Sequence, residues 1–406
     1  MTQRRPDVIV VGGGIVGAAS AYYLAKRGFG VTLLEARDLA YGASGRNLGF
    51  VWLHTRRPGP ELDLALTSRR LLADWPEELD FDFELSCHGG MIFFQSEEQA
   101  RVMAEFVRRR RADGVEMRLV DAREARELAP LLPEGTQGAS YCPLDAQVNP
   151  ALYVRAFATA AQRLGAEVRV GEPVRRLIVQ NGRVAGVEID GGAISAGTTV
   201  LAAGAWTPEL ARSLGLEVPI HPMRLQIVST APLPRMLDRP VYGAVAVKQY
   251  RVFQELPGFD AKAFEADYEQ EYEMPLLQAI CQTRGGHFLL GCSMDYPGFV
   301  WEPDLRGIAL ITGAMLRDLP ALRQARFDRA WAGILPYTLD NYPIIDFVPG
   351  YEGLMVAAGH VFGNAAGPTT GLLVSEMVAR AQTTIDVTPF RFDRPSLTGA
   401  AAASTW

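Results

Sequence analysis

Cysteine, long apolar runs and any surplus of basic charge are what this 406-residue chain has little of. Its four cysteines, Cys87, Cys142, Cys281 and Cys292, form no Cys-x-x-Cys pair. Neither a disulfide framework nor a metal-binding knuckle is therefore spelled out, no metal site is expected, and a reducing, cytoplasmic location suits them. Glycine or charge interrupts every apolar stretch before it reaches the ~18 residues a spanning helix needs, so direct membrane insertion and export are not expected. Attachment through a partner stays open. The balance of 40 Lys and Arg against 46 Asp and Glu gives a net charge of −6, which leaves no broad basic surface for a nucleic acid partner. Repeats and low-complexity arrays are also missing, and a hydrophobic fraction of 48% excludes a disordered chain. The length suits about two domains of ~100–200 residues.

What is present begins with Asp7-Val8-Ile9-Val10-Val11, an apolar β-rich run, followed by glycines, a helix-like stretch from Ala18 to Gly28, and a second run, Val31-Thr32-Leu33-Leu34. That is a β-turn-α-β unit of about thirty residues, the size of a parallel crossover. Gly12-Gly13-Gly14-Ile15-Val16-Gly17 fits G-x-G-x-x-G at the point where strand gives way to helix. There Gly12 permits a tight turn, Gly14 lets the backbone approach a pyrophosphate, Gly17 lets helix and strand pack closely, and the helix N-terminus offers amide donors. Glu35 follows at the end of the second run, placed to accept from ribose hydroxyls and to repel a 2′-phosphate. Such a signature does not separate NAD from FAD. The second small-residue loop, Ala40 to Gly49, suits an extended cofactor because it adds hydroxyl, amide and guanidinium donors.

Further along, helices are expected over residues 62–79, 97–113 and 151–164, and strands over 89–94, 167–170, 174–180, 183–189 and 199–202, with an Asn181-Gly182 hairpin turn. A buried strand, Leu354 to Gly359, precedes a helix expected to begin near Gly371. The intervening Gly359-to-Gly371 loop of small residues presents backbone N–H groups ahead of that helix, a setting that would stabilise negative charge. Alternating βα units with a block of strands predict an α/β chain of two interleaved domains. The last Ala-rich residues look like an unstructured tail.

Six segments, VIVVGGGIVGAASAYYLAKRG, LLEAR, GASGRNLGF, VLAAGAW, WAGILPYTLDNYPIID and LMVAAGHVFGNAAGPTTGLLVSEMV, occur across the whole chain. In their order the chain resembles the FAD-dependent family of D-amino-acid oxidase, glycine oxidase and sarcosine oxidase. The resemblance implies a discontinuous Rossmann-type FAD domain over 1–85, 146–217 and 331–392. It implies a substrate domain with a large mixed or antiparallel sheet over 86–145 and 218–330, an insertion about 254–280, and a tail over 393–406. Gly12, Gly14, Ile15, Val16, Gly17, Glu35, Ala36 and Arg37 would hold the ADP half of FAD. Ser44, Gly45, Arg46, Asn47 and Leu48 would hold pyrophosphate, ribityl and the flavin edge, while Val174, Ala203, Gly204 and Trp206 would meet adenine and pyrophosphate. Gly333, Gly359, Phe362, Gly363, Asn364, Ala365, Ala366 and Gly367 would lie about the flavin. A weaker likeness is to flavin subunits of opine and proline dehydrogenase complexes.

Departures matter as much. The family arginine of WAGLRP is Leu335 here, and a second, after the GH of the C-terminal loop, is replaced about Phe362 and Gly363. Carboxylate recognition must then come from elsewhere, or the substrate is not a simple small amino acid. No cysteine lies near Gly333, so the implied FAD is noncovalent. No lysine lies in His287-Phe288-Leu289-Leu290-Gly291, which favours a dehydrogenase. Candidate substrate residues are His54, to orient an amine or take its proton, and Arg224, Lys248, Tyr250 and Arg251 as donors for a carboxylate. Each has a plain structural alternative: a loop hydrogen bond, an ion pair, or a solvated strand end. The segment Val241 to Cys281 could be a lid, a docking surface or an excursion packed on the sheet. The implied reaction is oxidation of a C–N bond of an amino acid or secondary amine by hydride transfer to flavin N5, the imine then being hydrolysed. Electrons would go to O2 or a partner acceptor, in a homo- or hetero-oligomer. The alternatives are oxidation of a C–O bond in a hydroxy acid, or a flavin subunit of a multi-subunit dehydrogenase.

Overall fold

The computed structural model describes residues 6–398. Val8–Val11 (β1), buried along its whole length, is the centre of a six-stranded sheet. Ile15–Lys26 (α1) carries the chain across to Val31–Glu35 (β2), which pairs in parallel with β1. Thr198–Leu201 lies on the other side of β1, followed by Leu354–Ala358 and an antiparallel edge strand, Ile344–Phe347; Glu167–Val170 flanks β2. Continuous apolar runs such as VIVV and LMVAA suit strands covered on both faces.

The second large sheet has eight strands, in the order Phe327–Tyr337, His221–Thr230, Phe288–Asp295, Leu276–Gln282, Val241–Gly243, Gly90–Phe94, Gly138–Cys142 and Arg118–Asp121. Its pairs are antiparallel except for Val241–Gly243 against Gly90–Phe94. Strands of the two sheets therefore alternate along the sequence in blocks. A third, three-stranded sheet contains the Asn181-Gly182 hairpin, both turn residues having positive φ. No helix among the described residues is long and apolar enough to cross a membrane.

Several sequence expectations shift. The helix expected over 62–79 is two helices, Pro60–Leu72 and Trp75–Glu78, with Pro76 opening the second. The C-terminal helix starts at Gly363, eight residues earlier than Gly371, and runs to Val378 with Pro368 inside it. Its glycines read as loop but are packing surfaces. A Cβ on Gly367 would stand 2.8 Å from Ile15 Cγ2, and one on Gly371 2.5 Å from the Ala19 carbonyl carbon. The contacts advance by four residues on both partners, so this helix runs parallel to α1 along an i, i+4 ridge. Position 331, expected to open the last part of the Rossmann domain, falls inside Phe327–Tyr337, a strand of the eight-stranded sheet.

Residues 393–398, expected as loose tail, are docked; 399–406 lie outside the described residues. Leu397 is buried, and Arg394 grips Asp340 through Nε at 2.7 Å and Nη2 at 2.9 Å. Ser396 Oγ donates to the same carboxylate at 2.6 Å. Burial alone would raise the Asp340 pKa, but the Arg394 hydrogen bonds and charge hold it below the usual carboxylate range. Asp340→Asn leaves a buried guanidinium without its counter-charge, for which a loss of about 3–5 kcal/mol is expected in denaturant unfolding at pH 7. A carboxyl depressed in the folded state stabilises above its unfolded pKa and ceases to do so as pH falls through the folded one. The wild-type advantage over the variant should accordingly shrink below about pH 4; an advantage constant into acid would show that the charge is not the source.

Candidate active site

One cavity of about 480 Å³ runs from the end of β2 to the face of the eight-stranded sheet. Its first end is built by the turn between β1 and α1. Gly12 has φ +113, and a Cβ there would lie 2.5 Å from the Ala202 carbonyl oxygen; a Cβ on Gly14 would lie 2.9 Å from Ser44 Oγ. Side-chain atoms are excluded, so backbone faces the cavity. The N-cap residue of α1, Gly14, has no side chain to offer, and Ile15 N donates instead to Ser44 Oγ at 3.0 Å, across the cavity mouth from the loop after β2. Glu35 accepts from Gly13 N at 2.6 Å and Arg37 N at 2.8 Å, which fixes the carboxylate at the cavity wall with lone pairs to spare.

The opposite wall is the loop after β2. Arg46 donates through Nε to the Tyr41 carbonyl at 2.9 Å and packs over the Tyr41 and Trp301 rings. Asn47 binds the Ala43 and Ser44 carbonyls through Nδ2 and accepts from Gly49 N and Asn364 Nδ2 through Oδ1. That last bond ties the loop to the first turn of the C-terminal helix, which no side chain caps. Two helix N-termini thus open on the same cavity. His360 lies beside them, fully buried, with Nε2 2.8 Å from Thr370 Oγ1; burial drives its pKa down to about 3, so it is neutral there.

Of the expected cofactor residues, Gly12, Gly14, Ile15, Val16, Glu35, Ala36 and Arg37 line the cavity, as do Ser44, Arg46, Asn47 and Leu48. Val174, Ala203, Gly204, Trp206, Gly333, Gly359 and the run Phe362 to Ala365 line it too. Gly17, Gly45, Ala366 and Gly367 do not. Gly17 and Gly45 are close-approach positions, where a Cβ would meet a carbonyl oxygen at 1.9 Å and 2.2 Å, and Gly367 receives Ile15.

Substrate candidates fare differently. Tyr250 lines the far end of the cavity. His54 is fully buried away from the cavity, with Nδ1 2.9 Å from Asp145 Oδ2, Nε2 2.8 Å from Ser140 Oγ, and Trp52 stacked on its ring. Its partner Asp145 also accepts from Leu53 N and His54 N. Cys142 lies near this pair, but the carboxylate oxygens already serve the hydrogen bonds that hold residues 52–56. Arg224 is an ion-pair residue, bound to Asp295 through Nε at 2.8 Å and to Asp304, on the other side of its strand. Lys248 pairs with Glu269, and neither it nor Arg251 lines the cavity. The segment about 254–280 packs down: Leu256, Phe264 and Tyr268 are buried, and just before it Phe253 stacks on Phe106 at 4.0 Å. Sequence reasoning missed Trp52, Arg56 and Tyr242, which share the far end with Tyr250. Alternation along GFVWLHTRR would set 52, 54 and 56 on one side, but the strand ends at Val51 and the chain turns at His54-Thr55, so His54 leaves the cavity that Trp52 and Arg56 line, and no local signal in the sequence marks that turn.

A Rossmann sheet whose glycine turn opens onto such a cavity, closed by a second sheet, defines a dinucleotide-dependent oxidoreductase. The family model for DAO, FAD dependent oxidoreductase, matches residues 7–381, and the chain belongs to that family. It is 30% identical to glycine oxidase of Geobacillus kaustophilus, over 96% of this chain and 97% of that one. To the hydrogen cyanide synthase subunit HcnC of Pseudomonas aeruginosa it is 27% identical, over 95% of each. The solved glycine oxidase structure from G. kaustophilus superposes with a TM-score of 0.82 at 27% identity, covering 97% of this chain and 99% of that one. The protein is an FAD-dependent oxidoreductase, and its residues fit the cofactor: side-chain-free glycines at the turn, two helix N-termini opening on the cavity, and an acid at the Rossmann end.

Two outcomes follow. Gly12→Val should give a folded protein, by circular dichroism, with at least about tenfold less bound FAD, because the branched side chain meets Ala202 and demands a backbone conformation it rarely adopts. Lys248→Met should leave the Michaelis constant for substrate unchanged while lowering the melting temperature, since its partner Glu269 is buried; a raised Michaelis constant at unchanged melting temperature would return Lys248 to the site.

Proposed function

We propose that this enzyme oxidises the C–N bond of an amino acid or secondary amine to an imine, which water hydrolyses to the carbonyl product. The observation that carries the reading is the far end of the cavity. There Phe50, Trp52, Tyr242, Tyr250, Leu277 and Phe362 form an aromatic and aliphatic chamber continuous with the dinucleotide site. Bound FAD supplies the hydride acceptor, its N5. The chain's part is to orient the substrate C–H, exclude water and favour the uncharged amine, since an apolar enclosure penalises ammonium. No general base is required of it, in keeping with a His360 held neutral and non-basic by burial.

Noncovalent FAD is part of this reading. Cys292 lines the cavity, but burial raises its thiol to about 12, so the thiolate needed for attachment is scarce at neutral pH. All four cysteines are unpaired, which supports a reducing compartment such as the cytoplasm. The likeness to HcnC, whose name makes it a subunit, supports a second reading in which electrons leave through a companion protein.

Anaerobic titration decides. Flavin absorbance should bleach on adding amino acids or N-alkyl amino acids, with a carbonyl product and the released amine formed in equal amount. Colour returning rapidly in air identifies an oxidase, whereas bleaching that persists identifies a dehydrogenase that needs a partner. Bleaching by 2-hydroxy acids or glycerol phosphate, with none by any amine, would overturn the C–N reading.

A further inference from the structure

Between the strand Phe288–Asp295 and the helix Leu305–Asp318 the chain leaves the eight-stranded sheet and runs without regular structure over residues 296–303. Among the described residues this segment makes one hydrogen bond, in which the Glu302 carbonyl accepts from Arg224 Nη1 at 2.6 Å. The same guanidinium donates to Asp295 through Nε at 2.8 Å and to Asp304 through Nη2 at 2.5 Å, so one buried side chain ties both ends of the segment together. Asp304 also caps the following helix, accepting from Gly307 N at 2.7 Å. The neck is firm, while the chain beyond it is held by side-chain contacts. Pro297 and Gly298, the latter with φ +78, turn it back. Beyond them Phe299 and Trp301 both reach Trp206, and Val300 between them stays exposed.

Trp301 stacks on Trp206 with ring centroids 5.4 Å apart and planes 11° from parallel, and Phe299 meets the same ring at 5.5 Å. Trp301 also lies 5.5 Å from the Tyr41 ring, and the Arg46 guanidinium stands 5.0 Å from both. Trp206, Tyr41 and Arg46 line the cavity beside the glycine turn, and Phe299 and Trp301 form a layer behind them. The glycine turn, the strand ends of the six-stranded sheet and the two helix N-termini are fixed by backbone hydrogen bonds. Here, by contrast, the wall is backed by ring contacts between a Rossmann face and a loop of the other sheet. A segment with so few backbone bonds and partly exposed rings opens at lower free energy than a sheet does. We propose that residues 296–303 are a strap that holds FAD in the cavity, pressing Trp206, Tyr41 and Arg46 inward and swinging away on the Arg224 neck when the cofactor enters or leaves. The strap rests on the noncovalent reading of FAD, since a flavin bonded to the chain needs no cover. It stands apart from the substrate chamber, whose wall includes neither Phe299 nor Trp301.

Two measurements on the holoenzyme test the strap. The first is the rate at which FAD escapes after dilution, followed by its fluorescence. Trp301→Ala removes two ring partners and a cation contact and should release FAD at least about tenfold faster, with Trp301→Phe in between. Asp304→Asn keeps the helix cap but gives up the charge against Arg224, and should also speed release. The second is chymotrypsin cleavage after Phe299 and Trp301, read by mass spectrometry: adding FAD to flavin-free protein should slow it several-fold, and cleavage after Phe299 should be faster in Trp301→Ala holoenzyme than in the wild type. Flavin-free Trp301→Ala should melt within a degree or two of flavin-free wild type, which separates an open strap from a loosened fold. Wild-type release rates in both Trp301→Ala and Asp304→Asn, or cleavage indifferent to FAD, would overturn the strap. Faster release accompanied by a matching fall in the flavin-free melting temperature would overturn it as well. Flavin that stays on the denatured wild-type chain would sink the noncovalent reading and the strap together, whereas flavin freed on denaturation but released at one rate from every variant would sink the strap alone.

Discussion

Everything in this molecule is arranged about an electrostatic conflict: two helices run parallel with their N-termini opening on one cavity. Parallel helix dipoles repel, and their positive ends add where they converge. The arrangement is held by close packing, Gly367 and Gly371 letting the C-terminal helix settle on Ile15 and Ala19. It becomes favourable overall when negative charge occupies the convergence, and a dinucleotide offers pyrophosphate to α1 and an electron-rich flavin edge to the second helix. The same feature that costs the empty chain stability is what makes cofactor and reduced product welcome.

One continuous stretch, residues 43–56, carries that logic from one end of the cavity to the other. Ser44 faces α1, Asn47 bonds to Asn364 of the C-terminal helix, and Trp52 and Arg56 enter the chamber. Between them Phe50–Val51 pairs with Ala146–Gln147, and Asp145 binds the Leu53 and His54 amides and the His54 ring. Through these bonds the eight-stranded sheet sets where Trp52 and Arg56 stand relative to the Rossmann half. His54 is one of the bonds that hold this segment, through Asp145 and Ser140.

The cofactor end was legible because its chemistry is backbone chemistry. Gly12, Gly14 and Glu35 act through spacing, turn and strand end, which one local stretch of sequence contains. The order of strands in two interleaved sheets was legible only as alternation, and the C-terminal helix was misread by eight residues because Gly367 and Pro368 mean loop locally and close packing globally. At the chamber end, legibility failed for another reason. Whether Arg224, Lys248 or Arg56 is the available cation depends on where acids far away in sequence come to rest. Asp295 and Asp304 occupy the first, Glu269 the second, and only half of Glu61 falls to the third.

That inequality among arginines and lysines also explains how specificity can drift while the cofactor site stays put. Donors for FAD come from glycine turns and helix ends, which a substitution in the chamber leaves untouched. The substrate end is lined by side chains of several elements, including Tyr250 from the packed segment, Leu335 from the long edge strand and Arg56 from the loop after β2. Leu335 puts apolar surface where that strand meets the cavity, and Arg56, on another element, is packed against the Phe362 and Tyr250 rings. A change in these walls acts on which substrate carbon is presented to the flavin, and leaves the chemistry of its oxidation alone.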